Sequence, residues 1–122
     1  MTKHPCIMVV DDDKDIQRMV SRTLELEGFD VAIAGDGNSA LTLLEKRRPI
    51  LVILDIKMPG LDGYQVIEAI REHHNIPIIM LTATTEIASL KKSLYLGADD
   101  YVTKPFSTKI LIARVRAKLR RA

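Results

Sequence analysis

A parallel, five-stranded α/β sheet covered by helices on both faces is predicted by three features of the chain. Short β-branched runs alternate with longer stretches of helical period, the signature of βα units. The third and fourth runs are apolar throughout, as central strands buried on both faces must be. Four of the runs lead into Asp, Thr or Lys, so polar side chains recur at the same point of different units.

Taken in order, strands are expected near residues 6–10, 30–34, 50–54, 77–81 and 99–103. After the first strand, Ile16, Val20 and Leu24 recur every fourth residue. One stripe of that helix therefore packs on the sheet, and Gly28 follows it in the position that favours glycine. Leu41 and Leu44 mark the second helix, which closes on Lys46-Arg47-Arg48-Pro49: cations suited to a helix C-terminus, then a stop. Asp62 is the expected N-cap of the third helix, with Val66, Ile67 and Ile70 facing inward. Ile87, Leu90 and Leu94 stripe the fourth, which Gly97 ends, and Leu111, Val115 and Leu119 stripe the fifth.

A length of 122 residues accommodates a single core, so 1–122 reads as one domain. With 28% charged and 47% apolar residues the composition is that of a globular protein, and a net charge of +2 does not argue for nucleic acid. Cys6 is the only cysteine, which excludes a disulfide framework or a thiolate metal site, and it reads as a buried, inert thiol. No apolar signal stretch precedes the first strand, and every apolar run is far shorter than a membrane span. A cytoplasmic location is expected.

Ligands of an open parallel sheet collect beyond the carboxyl ends of its strands. There the pattern gathers Asp11, Asp12, Asp55, Thr82 and Lys104. Two carboxylates about 4 Å apart repel by roughly 4 kcal/mol at an effective dielectric of about 20, so the cluster requires positive charge. Lys104 supplies one unit and a divalent cation the rest. Mg²⁺ takes oxygen ligands, keeps several waters and binds through one or two carboxylates plus phosphate oxygens. Zinc is a poorer fit, because His4, His73 and His74 have no ligand spacing. With phosphoryl charge neutralised, a carboxylate can attack phosphorus and form an acyl phosphate. Asp55, directly after Leu51-Val52-Ile53-Leu54, is the chosen nucleophile, and Thr82 can donate a hydrogen bond to a phosphoryl oxygen. Each residue taken alone has an ordinary reading: loop acids for Asp11-Asp12, a cap for Asp55, a strand end for Thr82, a packed ring for Tyr101, a turn for Lys104-Pro105. Their joint occurrence at the strand ends makes the site.

Across essentially the whole chain these residues resemble response-regulator receiver domains of two-component signalling. The resemblance rests on Val9-Val10-Asp11-Asp12-Asp13, Leu54-Asp55-Ile56-Lys57-Met58-Pro59-Gly60-Leu61-Asp62-Gly63, Leu81-Thr82-Ala83 and Tyr101-Val102-Thr103-Lys104-Pro105-Phe106. It implies a flavodoxin-like, doubly wound sheet of order 2-1-3-4-5, phosphorylation at Asp55, and Mg²⁺ held by Asp12 and Asp55, with Asp11 acting largely through water and the Lys57 carbonyl completing the set. It also implies a cis bond before Pro105, a sensor histidine kinase or phosphotransfer protein as donor, and self-catalysed transfer without turnover on external substrates. On phosphorylation Thr82 would move toward the phosphoryl group and Tyr101 swing into the space it leaves. The face formed by helix four, strand five and helix five would rearrange.

The C-terminal part resembles the branch with a winged-helix output, whose receivers dimerise through that face by acid-base pairs. Asp99, Asp100, Arg114 and Arg116 are present to make such pairs, but Ile110 replaces an acid that would pair with a cation such as Lys92. No output domain is read within residues 1–122, and the ending at Arg120-Arg121-Ala122 reads as a fragment of a longer regulator or kinase, with a stand-alone receiver as the alternative. The basic last helix lacks an aromatic platform, so direct nucleic-acid binding by this domain is not expected. Lys57 and Thr84, each two residues beyond a site residue, are candidates to tune the lifetime of the phosphorylated state. Two rival readings fit part of the pattern: a haloacid dehalogenase-type phosphatase with Asp11 as nucleophile and Asp99-Asp100 as its late acidic pair, and a degenerate receiver serving as a protein-binding scaffold.

Overall fold

The computed structural model describes residues 4–58, 60–83 and 86–120. Five strands alternate with five helices: β1 (Cys6–Val10), α1 (Lys14–Leu26), β2 (Asp30–Ala34), α2 (Gly37–Arg47), β3 (Leu51–Leu54), α3 (Gly63–Arg71), β4 (Ile78–Thr82), α4 (Ile87–Leu96), β5 (Asp100–Thr103) and α5 (Thr108–Arg120). All strands are parallel, in the order β2-β1-β3-β4-β5. This is the expected flavodoxin-like sheet.

Alternation along the strands divides the core into two layers. Met8, Val10, Val52, Leu54, Ile78 and Met80 face α2 and α3 and pack on Leu44, Val66, Ile67 and Ile70. Ile7, Val9, Leu51, Ile53, Ile79 and Leu81 face α1 and α5, against Val20, Leu24, Leu111 and Val115. Because β3 and β4 serve both layers, every residue of each is buried. Register then sets the site: Val10 pairs with Leu54, so Asp11 and Asp55 leave the sheet side by side.

Helix ends follow the local chemistry. Asp13 caps α1 by accepting from the Asp15 and Ile16 N–H groups at 2.9 and 3.3 Å, and Gly28 follows it at φ 93°. Asp62 caps α3 in a reciprocal box, accepting from the Gln65 N–H at 3.0 Å while the Gln65 side chain accepts from the Asp62 N–H at 2.9 Å. The Lys104-Pro105 bond is cis.

Two expectations need correction. Ile87 and Leu94 do not face the core; they are 69% and 42% exposed. The buried side of α4 is Leu90 and Ser93, and the Ser93 hydroxyl donates to the Ser89 carbonyl at 3.1 Å. A hydroxyl satisfied on its own helix is cheap to bury, so the inward stripe includes a serine that apolar periodicity does not register. Cys6 is half-buried, not buried, at the start of β1, with the Arg47 guanidinium 3.7 Å from its sulfur. Burial pushes the thiol up, against the pull of Arg47, so it stays protonated. Strand bounds shift by a residue: β3 starts at Leu51, β4 runs to Thr82 and β5 starts at Asp100.

Candidate functional site: an acidic pocket at the strand ends

The turn after β1 holds Asp11 by its backbone and both carboxylate oxygens. Its N–H donates to the Ala34 carbonyl at 3.1 Å, and its own carbonyl accepts from the Gln17 side-chain amide at 2.6 Å. Oδ1 accepts from the Asp13 N–H at 3.0 Å, and Oδ2 accepts from Lys104 Nζ at 2.8 Å. Asp11 is buried and Asp12, next to it, is exposed. Asp55 N–H donates to the Val10 carbonyl at 2.9 Å, fixing the second acid beside the first.

Lys104 reaches this pair from the far side of the sheet. Its N–H donates to the Thr82 carbonyl at 2.7 Å, and Nζ lies 3.5 Å from Asp55 Oδ2. Thr82, 1% exposed, is the last residue of β4 and pairs with Thr103. Tyr101 pairs with Met80 one alternation earlier, so Tyr101 and Thr82 share a sheet face; its ring is 37% exposed rather than packed.

Asp11, Asp12 and Asp55 each offer one oxygen within 4.8 Å of the others. Burial pushes the Asp55 carboxyl above its ordinary value; Lys104 opposes this and Asp11 reinforces it. Burial alone would lower the Lys104 ammonium, but its hydrogen bond to Asp11 and the charge of Asp55 outweigh that and raise it. The pocket thus holds more negative charge than one lysine balances. An all-oxygen donor set with an exposed member fits a hard cation that keeps some of its water, and the cluster is consistent with the metal site typical of receivers. His73 and His74 lie at the other end of the molecule beside Glu72 and Glu45.

The family pattern of the response regulator receiver domain matches residues 7–116. The chain belongs to that family. It is 50% identical over 115 residues to the DNA-binding response regulator MtrA of Mycolicibacterium smegmatis, covering 94% of this chain and 50% of that one. It is likewise 50% identical to the probable transcriptional regulator ycf27 of Cyanophora paradoxa, over 94% of this chain and 48% of the relative. The chain therefore spans about half the length of the curated relatives it matches. Among solved structures, a two-component response regulator from Clostridium difficile superposes with a TM-score of 0.93 at 31% identity, covering 97% and 98% of the two chains. The BeF3-activated N-terminal receiver domain of RstA from Klebsiella pneumoniae does so at 0.91 and 32%, covering 94% and 98%. A receiver is a signalling domain rather than an enzyme with turnover on external substrates.

Membership removes the phosphatase reading, and the receiver's geometry agrees. The Asp99 carboxylate accepts from the Ile78 N–H at 2.8 Å, at the start of β4, about 13 Å of strand away from the pocket. It cannot serve as a late acidic pair for Asp11. The other surface candidates are also engaged within the chain. Asp99 pairs with Arg71 at 2.9 Å, Asp100 with Arg114 at 2.9 Å and with Lys118 at 3.8 Å, and Arg116 with Glu27 at 2.8 Å. Lys92 sits 4.4 Å from the centroid of the Tyr64 ring. Lys57 is exposed, and Thr84 lies outside the described residues.

Two residues of the pocket have roles that the sequence alone does not assign. Gly63 packs so closely under the pocket that a Cβ there would come within 2.5 Å of the Asp55 carbonyl. Gln17 is buried against Asp11; a glutamine spaced with Val20 and Leu24 on a core-facing helix was the available signal.

Proposed function

We propose that the chain is a phosphorylation-controlled switch whose phosphoacceptor is Asp55. The observation that carries this reading is a half-neutralised pocket: a buried carboxylate at the end of a central strand, 3.5 Å from a lysine ammonium and clustered with two further acids. An Asp55 oxygen attacks phosphorus of a phosphohistidine on a sensor kinase or phosphotransfer protein. The P–O bond forms as the P–N bond breaks, and the electron pair leaves on the imidazole. Asp12, Asp55 and the Lys57 carbonyl, with Asp11 beside them, would hold a Mg²⁺ ion, which would supply charge neutralisation for the incoming phosphoryl oxygens.

Lys104 exchanges part of its attraction for the carboxylates for a phosphoryl oxygen, and Thr82 donates its hydroxyl to another. Phosphorylation adds close to two negative charges and three acceptor oxygens, a differential contact that shifts a two-state element. Thr82 and Tyr101 share the sheet face through which the shift passes to α4, β5 and α5. The output is a domain beyond these residues in a longer regulator, a reading supported by the match to only half of the DNA-binding response regulator MtrA; the regulator is cytoplasmic, and residues 1–122 are the receiver and do not contact nucleic acid. A homodimer through the α4–β5–α5 face is part of this proposal. There the exposed Leu94, Tyr95, Tyr101 and Ile110 offer apolar surface.

Incubation with acetyl phosphate and Mg²⁺ followed by intact mass tests the reading. One labile phosphoryl group is expected, lost in Asp55→Asn and on chelation. An unmodified parent would sink it in favour of a scaffold role, and a label surviving in Asp55→Asn would move the nucleophile elsewhere.

A further inference from the structure

Asp11 is wired at every polar atom, and one of those wires has no place in the chemistry so far. The Gln17 side-chain amide, 7% exposed on the inner face of α1, donates to the Asp11 carbonyl at 2.6 Å. That carbonyl belongs to the peptide unit joining Asp11 to Asp12, and a peptide unit is planar. Fixing its oxygen fixes the Asp12 N–H and the direction in which the chain leaves Asp11. The exposed Asp12 carboxylate has only its own side-chain torsions left once that plane is set.

The neighbouring atoms tighten the same turn. Asp13 N–H returns to Asp11 Oδ1 at 3.0 Å, and Asp13 then caps α1, the helix that carries Gln17. The loop from Asp11 to Asp13 is thus closed at both ends by groups of α1. On the outer side Gln17 Nε2 lies 3.6 Å from where a Cβ on Gly35 would be, so the turn after β2 backs the amide. Ser21, one turn along the same buried side of α1, is a contrast: among the described residues its Oγ has no hydrogen-bond partner. Of the two buried polar side chains on this helix, only Gln17 is spent on the acidic turn.

We infer that Gln17 is a positioning residue for the divalent-cation site, acting through the Asp11–Asp12 peptide to hold the Asp12 carboxylate in register with Asp55. It touches neither cation nor phosphoryl group. The inference rests on the metal reading above and adds a residue to it.

Gln17→Met keeps length and burial and removes the donor; Gln17→Ala removes both, and Ser21→Ala is the control on the same helix face. Three quantities are read in the full chain: the Mg²⁺ dissociation constant by calorimetric titration, the amide resonances and hydrogen exchange of Asp12 and Asp13 with cations chelated, and the urea midpoint. A neutral hydrogen bond is worth about 0.5–1.5 kcal/mol, so Gln17→Met is expected to weaken Mg²⁺ binding roughly 2- to 12-fold. The Asp12 and Asp13 amides should shift and exchange faster, and the urea midpoint should fall modestly because the buried Asp11 carbonyl loses its partner, whereas Ser21→Ala leaves all three unchanged. Parent-like affinity and amides in Gln17→Met overturn the inference, as does an equal loss in Ser21→Ala or failure of both Gln17 variants to fold, which would make the amide a general core element. If the parent itself binds no Mg²⁺, the metal reading falls, and the chelated amide data alone decide whether Gln17 sets the turn.

Discussion

Asp55 is asked to be both buried and charged, and its environment shows the cost. Burial raises its pKa in the folded chain, so the native state holds a proton that the unfolded chain has released. Stability therefore declines as pH rises from the ordinary carboxylate value through the folded one. With cations chelated, Asp55→Asn should raise the thermal midpoint by a few degrees at pH 7, and the gain should vanish on acidification below that window. A gain that grew toward low pH would show that the carboxylate is favourably placed. Lys104 has the same sign of coupling in a more alkaline window: its contribution holds below the ordinary lysine value and is lost only as pH rises through the raised one. Lys57 is exposed beside the pocket, and as a candidate to tune the phosphorylated state its side chain should matter to lifetime alone. Lys57→Ala is expected to change the decay rate of the Asp55 phosphoryl group severalfold without altering the urea midpoint, measured by timed acid-quench of labelled protein.

The β3–α3 connection carries Asp55 at one end and Asp62 at the other. Asp62 closes its far end through the reciprocal cap with Gln65, and Asp62→Ala should cost about 1 kcal/mol in urea unfolding. Gly63 is constrained differently. A Cβ would meet the Asp55 carbonyl at 2.5 Å and Ile56 Cα at 2.6 Å, both backbone atoms with no rotamer to yield. Gly63→Ala is expected to cost about 1–3 kcal/mol and to slow acetyl phosphate labelling, because the strain is relieved by moving Asp55. Position and type of this cap are legible in the sequence, since an Asp-Gly pair with Gln three residues on reads as a helix start. The glycine's packing role is not, because the atoms it must clear belong to the folded strand end. The buried side of α4 is illegible in the sequence for a related reason. Ser93 is buried where periodicity favoured Ile87 and Leu94, and only the position of α4 beside α3 distinguishes the alternatives.

At the scale of the whole receiver, α4 is held to α3 at two levels. Arg71 donates to the Gly97 carbonyl at 3.0 Å and to Asp99 at 2.9 Å at one end, while Lys92 lies over the Tyr64 ring and Tyr64 Oη donates to the Ser89 carbonyl at 3.4 Å nearer the pocket. The acid-base residues of the proposed dimer face are largely closed on their own chain: Asp100 with Arg114, and Arg116 with Glu27 beside the Phe29 ring. Self-association should then lean on apolar surface. In sedimentation of the beryllofluoride-treated receiver, Leu94→Asp is expected to weaken the dimer at least about tenfold, as loss of a buried anchor does. Arg114→Ala should leave it within about threefold, as for a rim charge. The reverse order would return the interface to ionic pairing. No helix of the described residues is long and apolar enough to cross a membrane.

The sequence by itself determined the sheet, its two-sided cover and the chemistry at its carboxyl edge. Alternation and helical period are local properties, and parallel strands ending on Asp, Thr and Lys deliver those groups to one crevice whatever the details of packing. Tertiary structure alone decided which partner each charged surface residue takes, which side of α4 is buried, and that Gln17 serves the Asp11 carbonyl. Those outcomes depend on contacts between residues far apart in the chain or on the fit of neighbouring elements, and no periodicity encodes a distance of that kind.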